Sequence, residues 1–357
     1  HLRFVHAGVG GDRVTGGWAG PIDQRLARDV VPFHPTVVTV MLGMNDGGYR
    51  SFDPGLFATY SHGYDHIVAS LQQQLPGVRL TLIEPSPFDD VTRPPQFAGG
   101  YNGVLRRYGQ YVQQLAASRG LGFADLNTPV VDDLTRAAAF DPALAQLLIP
   151  DRVHPGPTGH WYMATALLKA WGAPAIVTSV TLDAAHSTVA QQDNTVVSDL
   201  KQDDGAWSWT QQDNALPLPL DLNDRNVALA AETSDLVQAL DQEPLRVTGL
   251  VAGDYQLKID GQEVGTFPQA ALAQGVNLAL RNTPMLQQAT GVRWSIAPHN
   301  DVHELRLLTQ VHLAQAPEAT RAAGLAFLDQ LEQHEAESEA SAAQPKPHHY
   351  ELSPTRP

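Results

Sequence analysis

No cysteine occurs in the 357 residues. That absence excludes a disulfide scaffold, thiolate zinc sites, iron–sulfur clusters and a cysteine nucleophile. It leaves the compartment open, because exported proteins also dispense with cysteine. Lysine is scarce, at Lys169, Lys201, Lys258 and Lys346 only. No apolar run approaches the ~20 residues that a bilayer-spanning helix needs. No internal repeat is visible. Serine is missing from the first 50 residues, the first being Ser51. The chain opens at His1 rather than Met, so the expectation is that a segment precedes it, and export to the periplasm or outside is one reading.

What is present divides unevenly. Residues 1–172 hold 13 basic and 14 acidic side chains, whereas residues 173–357 hold 10 and 24. The formal charge of −15 therefore sits almost wholly in the second half. Neither half has the basic footprint that nucleic acid or anionic lipid requires. At ~150 residues per domain, the length suggests two domains with cores of their own.

The first half alternates short apolar runs with helical periodicity, as in an α/β sheet covered on both faces. Strands are expected at Leu2–His6, Thr36–Leu42, Arg79–Glu84 and Gly122–Asp125. Tyr60, Tyr64, Ile67 and Leu71 recur at helical spacing, as do Val104, Tyr108, Tyr111 and Leu115. A last helix is expected from about Pro157 to Trp171, ended by Gly172-Ala-Pro174. From Ile176 the pattern turns to β: Val177–Leu182, Leu245–Thr248 and Tyr255–Ile259 read as strands, with a hairpin at Asp260-Gly261. Residues 201–215 and 217–224 read as loops. Short helices are expected at Pro268–Gly275 and Thr283–Ala289, then a longer one from Pro317 to about Ala340. The acidic end of that helix, Glu332 to Glu339, reads as solvated, and the tail from Gln344 shows no core-forming pattern. The units expected are 1–174, an acidic β-rich unit at 175–315, and a C-terminal helix and tail at 316–357.

Three stretches of the first half carry chemistry. His6-Ala-Gly-Val-Gly-Gly-Asp12 follows the first expected strand, Gly43-Met-Asn-Asp46 the second, and Asp151-Arg-Val-His154-Pro155 precedes the last helix. Loops at the carboxyl ends of strands in an open α/β sheet converge on one crevice. Acyl transfer needs a base, a group that orients it, and donors for the developing oxyanion. His154 can serve as base and Asp151 can hold its other ring nitrogen. The Asn45 carboxamide and the Gly11 backbone N–H can donate to the oxyanion, glycine allowing close approach.

These blocks, in this order over residues 1–172, resemble the SGNH/GDSL hydrolase superfamily. The resemblance implies a flavodoxin-like three-layer α/β fold with a parallel sheet, and a serine ester hydrolase working through an acyl-enzyme. It places the second-block glycine on Gly11, the third-block asparagine on Asn45, and the last block on Asp151 and His154. It implies a small-molecule or carbohydrate ester as substrate and no metal or organic cofactor. The sequence departs from the pattern at His6, where an Asn is common, and above all in lacking the G-D-S block. The expectation is therefore that the first strand, with the nucleophilic serine, lies upstream of His1, and that the chain alone is inactive. A non-catalytic scaffold with a degenerate SGNH fold is the alternative. Ser86, between Pro85 and Pro87, is a poor replacement because it lacks the strand–turn–helix setting of a nucleophile.

Other residues read more plainly. His62 and His66 with Asp65 could share a helix face but lack a third metal ligand. His299, Asp301 and His303 alternate as on a strand, and His348 and His349 read as surface. Tyr49, Phe88, Phe97 and Tyr101 fall near the strand ends, either lining a pocket or packing in the core. Trp207 and Trp209 share a face as core or, less simply, as a sugar platform. The glycines at 8, 10 and 11 do not complete a nucleotide-binding G-x-G-x-x-G, since Arg13 stands in its third glycine position.

Overall fold

The computed structural model describes residues 3–355. Its first half is built on three parallel strands, β1 (Val37–Met41), β2 (Arg79–Ile83) and β3 (Gly122–Ala124), side by side in that order. Helices α1 (Pro54–Gln74) and α2 (Gly100–Arg119) bury Tyr60, Tyr64, Ile67, Tyr101, Val104 and Tyr108 against Val40, Leu80 and Leu82. Asp53 caps α1, its carboxylate accepting from the backbone N–H of Gly55 and Leu56. Helix α3 (Thr128–Phe140) flanks the sheet, and α4 (Gly159–Ala170) covers its opposite face, with Ala166 packing on Ile83 and Ala124. This is the mixed α/β architecture with a parallel sheet that the apolar periodicity predicts.

The expected strand at Leu2–His6 does not form. Leu2 lies outside the described residues, residues 3–6 join no ladder, and Phe4 is 76% exposed. A short segment becomes a strand only where a neighbouring strand takes up its N–H and C=O groups, and the outer edge of β1 pairs with no strand among the described residues.

The second half is two facing sheets. The first contains β4 (Ser179–Asp183), β5 (Thr188–Asp193) and β8 (Pro244–Thr248), with Val276–Asn277 added at its edge. The second contains β6 (Thr195–Asp203), β7 (Ala206–Asp213), β9 (Asp254–Ile259), β10 (Gln262–Pro268) and β11 (Pro347–Pro354), in the antiparallel order β10-β9-β11-β7-β6. Val180, Leu182, Val247, Trp209, Leu257, Ile259, Tyr350 and Leu352 fill the space between them. Helix α5 (Arg225–Thr233) docks this half onto the first through Leu229 and Ala230, which pack with Leu134 and Tyr162.

Several expectations fail here, each for a physical reason. Residues 201–215 are mainly a hairpin rather than a loop: every second side chain of β7 is buried, and the polar intervening ones face outward. The tail is not featureless, because Tyr350 and Leu352 make β11 the middle strand of its sheet. The helix at Thr283 continues as α6 (Pro284–His312) through Pro298, because α7 (Glu318–Ala342) packs along it. His299 and His303 therefore sit one helical turn apart, not on a strand. They pair with Glu339 at 3.1 Å and Glu332 at 2.8 Å, so the end of α7 is partly buried rather than solvated. His348 is buried, its Nδ1 2.6 Å from Asp260, whereas His349 is exposed.

Candidate active site

The glycine block is pinned from inside. The buried Arg25 guanidinium pairs with Asp12 and Asp29 and donates to the carbonyl oxygen of Ala7 at 2.5 Å. A guanidinium carries several donors in a rigid fork, so one side chain fixes residues 7–12 against the helical segment that follows. Gly11 turns at φ +84°, and a Cβ there would meet nothing, so its backbone lies open to a ligand.

The second block is bound to Asp12 of the first block and to Val14 just after it by two hydrogen bonds. Asn45 Nδ2 donates to the Asp12 carbonyl oxygen at 3.1 Å, and the Val14 N–H donates to Asp46 Oδ1 at 3.0 Å. Burial pushes Asp46 up to about 6 despite that backbone donor and the Arg13 charge. Gly43, at φ +133°, allows this turn to lie against Pro85, whose Cγ would stand 2.5 Å from any Cβ.

The third block forms a tight loop. Asp151 Oδ1 accepts from the backbone N–H of Val153 at 3.0 Å and of His154 at 2.7 Å. Its Oδ2 lies 2.6 Å from His154 Nδ1. The side-chain hydrogen bond from His154, followed by its backbone N–H, holds the Asp151 carboxyl well below the ordinary carboxylate range. An ionised carboxylate only accepts, so Nδ1 of His154 carries the proton and Nε2 is left as the basic nitrogen. The His154 side chain is 77% exposed, and Asp151 is its sole hydrogen-bonding partner among the described residues.

Arg152 joins this loop to the others. It stands at φ +74°, unusual for a side chain with a Cβ, and donates to the carbonyl oxygens of Asp89 and Pro94 at 3.2 and 3.1 Å. Its guanidinium lies over the Phe88 ring at 5.7 Å. Phe88 in turn contacts Tyr101 and Tyr49, with ring centroids at 5.4 and 6.3 Å. The Tyr49 hydroxyl donates to Asn45 Oδ1 at 2.8 Å, and its acidity is reduced by burial and by the Asp151 carboxylate nearby. A continuous chain of contacts therefore links Asn45, Tyr49, Phe88, Arg152 and the Asp151–His154 pair at one rim of the sheet.

Of the aromatic candidates, Phe88 and Tyr101 are buried, Phe97 packs on the core and Tyr49 is 41% exposed. Tyr49 is the one placed to meet a ligand. Ser86 is half-buried in the loop after β2 and makes no hydrogen bond to His154. Asp65 is engaged by Tyr111 and Arg119, and His66 faces Asp23 at 2.5 Å. Among the described residues no group of three His, Asp or Glu side chains could hold a metal ion. Arg25 and Arg152 are anchors that the sequence does not mark, and Tyr49, placed near a strand end by the sequence, proves to hold Asn45. Only the pairing of Arg25 with Asp29, four apart, could have signalled one of them.

Residues 1–162 match the GDSL-like lipase/acylhydrolase family. Over that stretch the chain is similar to GDSL-like lipases and acylhydrolases. An acetylxylan esterase of Geobacillus stearothermophilus is 28% identical over 182 residues, spanning 48% of this chain and 73% of that protein. The solved structure of a gut microbial diltiazem-metabolizing enzyme covers 98% of this chain and 89% of its own, at a TM-score of 0.80 and 24% identity. That likeness shows that the GDSL-like half and the two-sheet half occur together in one fold.

Proposed function

We propose that this chain carries the base and oxyanion parts of a serine ester hydrolase, with a small-molecule or carbohydrate O-acyl ester as substrate. The observation that carries the reading is the Asp151–His154 pair, held at 2.6 Å with the second ring nitrogen unengaged. In that reaction His154 Nε2 takes the proton of a serine hydroxyl as its oxygen attacks the ester carbonyl, and returns it to the leaving alcohol. The ionised Asp151 stabilises the imidazolium formed in between. Asn45 has two N–H bonds on Nδ2, and its bond to Asp12 leaves one for the oxyanion. The Gly11 N–H is the second donor. Removing one such donor typically costs ~10²–10³ in turnover. The acetylxylan esterase relative supports ester substrates.

The nucleophile is the missing part. No serine precedes Ser51, and Ser86 makes no hydrogen bond to His154, so we place the nucleophilic serine on a G-D-S segment outside residues 1–357. The test is p-nitrophenyl acetate hydrolysis together with fluorophosphonate labelling. Residues 1–357 are expected to show neither above background, and the same chain extended by a G-D-S segment to show both. Turnover by residues 1–357 that His154→Ala abolishes would overturn this placement.

A further inference from the structure

A cavity of about 560 Å³ opens where α4, the loop 216–219 and the first turns of α6 meet. Its walls are apolar: Trp161 and Ala164 come from α4, Pro217 from the loop, and Ala289 and Val292 from α6. Pockets of this size accommodate a drug-sized molecule, and junctions between structural units are where such pockets recur. Pro157 and His160 also line the cavity. Pro157 is three residues from His154, so at most about 11 Å of chain separates them. His160 Nδ1 is already engaged, donating to the Gly156 carbonyl oxygen at 2.9 Å.

One permanently charged side chain lines this apolar space, Arg293. Its guanidinium carbon is 6.0 Å from the Trp161 ring and 5.5 Å from the Trp294 ring. Two indole faces orient the guanidinium and strip part of its water. The ion pairs between α6 and α7 use His299, His303 and Arg306, leaving Arg293 without a carboxylate partner among the described residues. In a chain of formal charge −15, a half-buried arginine without a carboxylate partner in an apolar recess stands out.

We propose that this cavity binds a hydrophobic monoanion, an aromatic or branched carboxylate or its sulfonate equivalent. The apolar body lies against Trp161, Ala164 and Val292, and the acid group takes two parallel N–H donors of Arg293. Guanidinium geometry suits a carboxylate in that bidentate way. The net negative charge of the protein disfavours polyanions over a singly charged ligand. The site does not depend on the acyl-enzyme reading, and its test does not need esterase activity.

The probes are 1-anilinonaphthalene-8-sulfonate, an aromatic monoanion that fluoresces in apolar surroundings, and its uncharged analogue N-phenyl-1-naphthylamine. Wild-type protein should bind both saturably. Arg293→Gln should weaken the anion by about tenfold while leaving the neutral probe within about twofold. Ala164→Trp and Val292→Trp, which fill the cavity, should abolish binding of both with the circular dichroism spectrum retained. Should both filling variants lose their fold, the indole N–H resonance of Trp161 in the wild type decides. It should shift on adding the anion, and an unmoved Trp161 signal would overturn the proposal. Absence of saturable binding, or equal weakening of both probes by Arg293→Gln, would also overturn it.

Discussion

The Tyr49 hydroxyl donates to the carboxamide oxygen of Asn45 at 2.8 Å, while the carboxamide nitrogen donates to the Asp12 carbonyl oxygen at 3.1 Å. A backbone carbonyl only accepts, so the two contacts fix which way the amide faces. The free N–H of Asn45 is aimed by Tyr49 rather than left to rotate. Tyr49→Phe should therefore release the amide with little effect on the fold, changing unfolding free energy by about 0.5–1.5 kcal/mol. In ¹H–¹⁵N spectra the Asn45 side-chain amide protons should exchange faster with water in the variant. Unchanged exchange would mean that Asp12 alone holds the group.

Asp151 and His154 define each other's protonation. The His154 hydrogen bonds depress the Asp151 carboxyl, so its ionisation stays constant through the range in which histidine titrates. Replacing His154 by Ala should let Asp151 rise toward its ordinary value of 3.8. The measurement is the pH titration of the Asp151 carboxyl carbon by NMR, in the wild type and the variant. A folded-state value below the unfolded one stabilises above the unfolded value and ceases to do so as pH falls through the folded one. The variant should therefore be less sensitive than wild type at the acid end of its stability curve. An Asp151 titration that does not move would place the cause of its shift elsewhere.

Legibility in the sequence followed the range of the interactions. Asp151 and His154 are three residues apart and meet within one turn of chain, and the helix over Tyr60, Tyr64, Ile67 and Leu71 repeats its own apolar face. Both are local, and both could be read from the residues alone. Trp207 and Trp209 sharing an inward face was equally local. The hairpin of β6 and β7 was hidden because Asp, Gln and Lys occupy outward positions of strands whose pairing is decided elsewhere. Helix α6 passes Pro298 because α7, tens of residues later, holds it with His299–Glu339 and His303–Glu332. Arg152 and Tyr49 carry positive φ values that no local sequence signal marks. Their conformations are set by partners such as Asp89, Pro94 and Asn45.

The last strand makes a prediction that its sequence would not have suggested. Tyr350 is fully buried and stacks on Trp209 with ring centroids 5.1 Å apart and planes at 21°. Its strand β11 separates β7 from β9, so the five-stranded sheet cannot close around its loss. Tyr350→Ala should destabilise by about 3–5 kcal/mol, the range for a large buried aromatic. Removal of residues 345–357 should unfold the two-sheet half outright. Guanidinium denaturation followed by tryptophan fluorescence measures both, since Trp207 and Trp209 report on that core. A cooperative transition of wild-type midpoint in the shortened chain would show that β7 and β9 re-pair without β11.

Glu84 gives the stability of the first half a pH dependence opposite to that of Asp151. It lies at the end of β2, 5% exposed, with Arg106 at 3.9 Å. Burial, reinforced by the neighbouring Asp125 carboxylate, pushes it up to about 8 from an ordinary 4.5, against the pull of Arg106. Between those values the folded state holds a proton that the unfolded state has lost, so stability falls as pH rises through that window. Below about 4.5 both states are protonated and Glu84 contributes no slope. Glu84→Gln keeps the shape and removes the titration. The variant should match wild type near pH 4 and exceed it by up to roughly 5 kcal/mol near pH 9, since the gap between 4.5 and about 8 converts at ~1.4 kcal/mol for each pH unit. Urea denaturation at the two pH values checks this, with Asp125→Asn expected to lessen the slope by relieving the like charge. Equal stability of Glu84→Gln and wild type at pH 9 would show that Arg106 fully compensates the buried carboxylate.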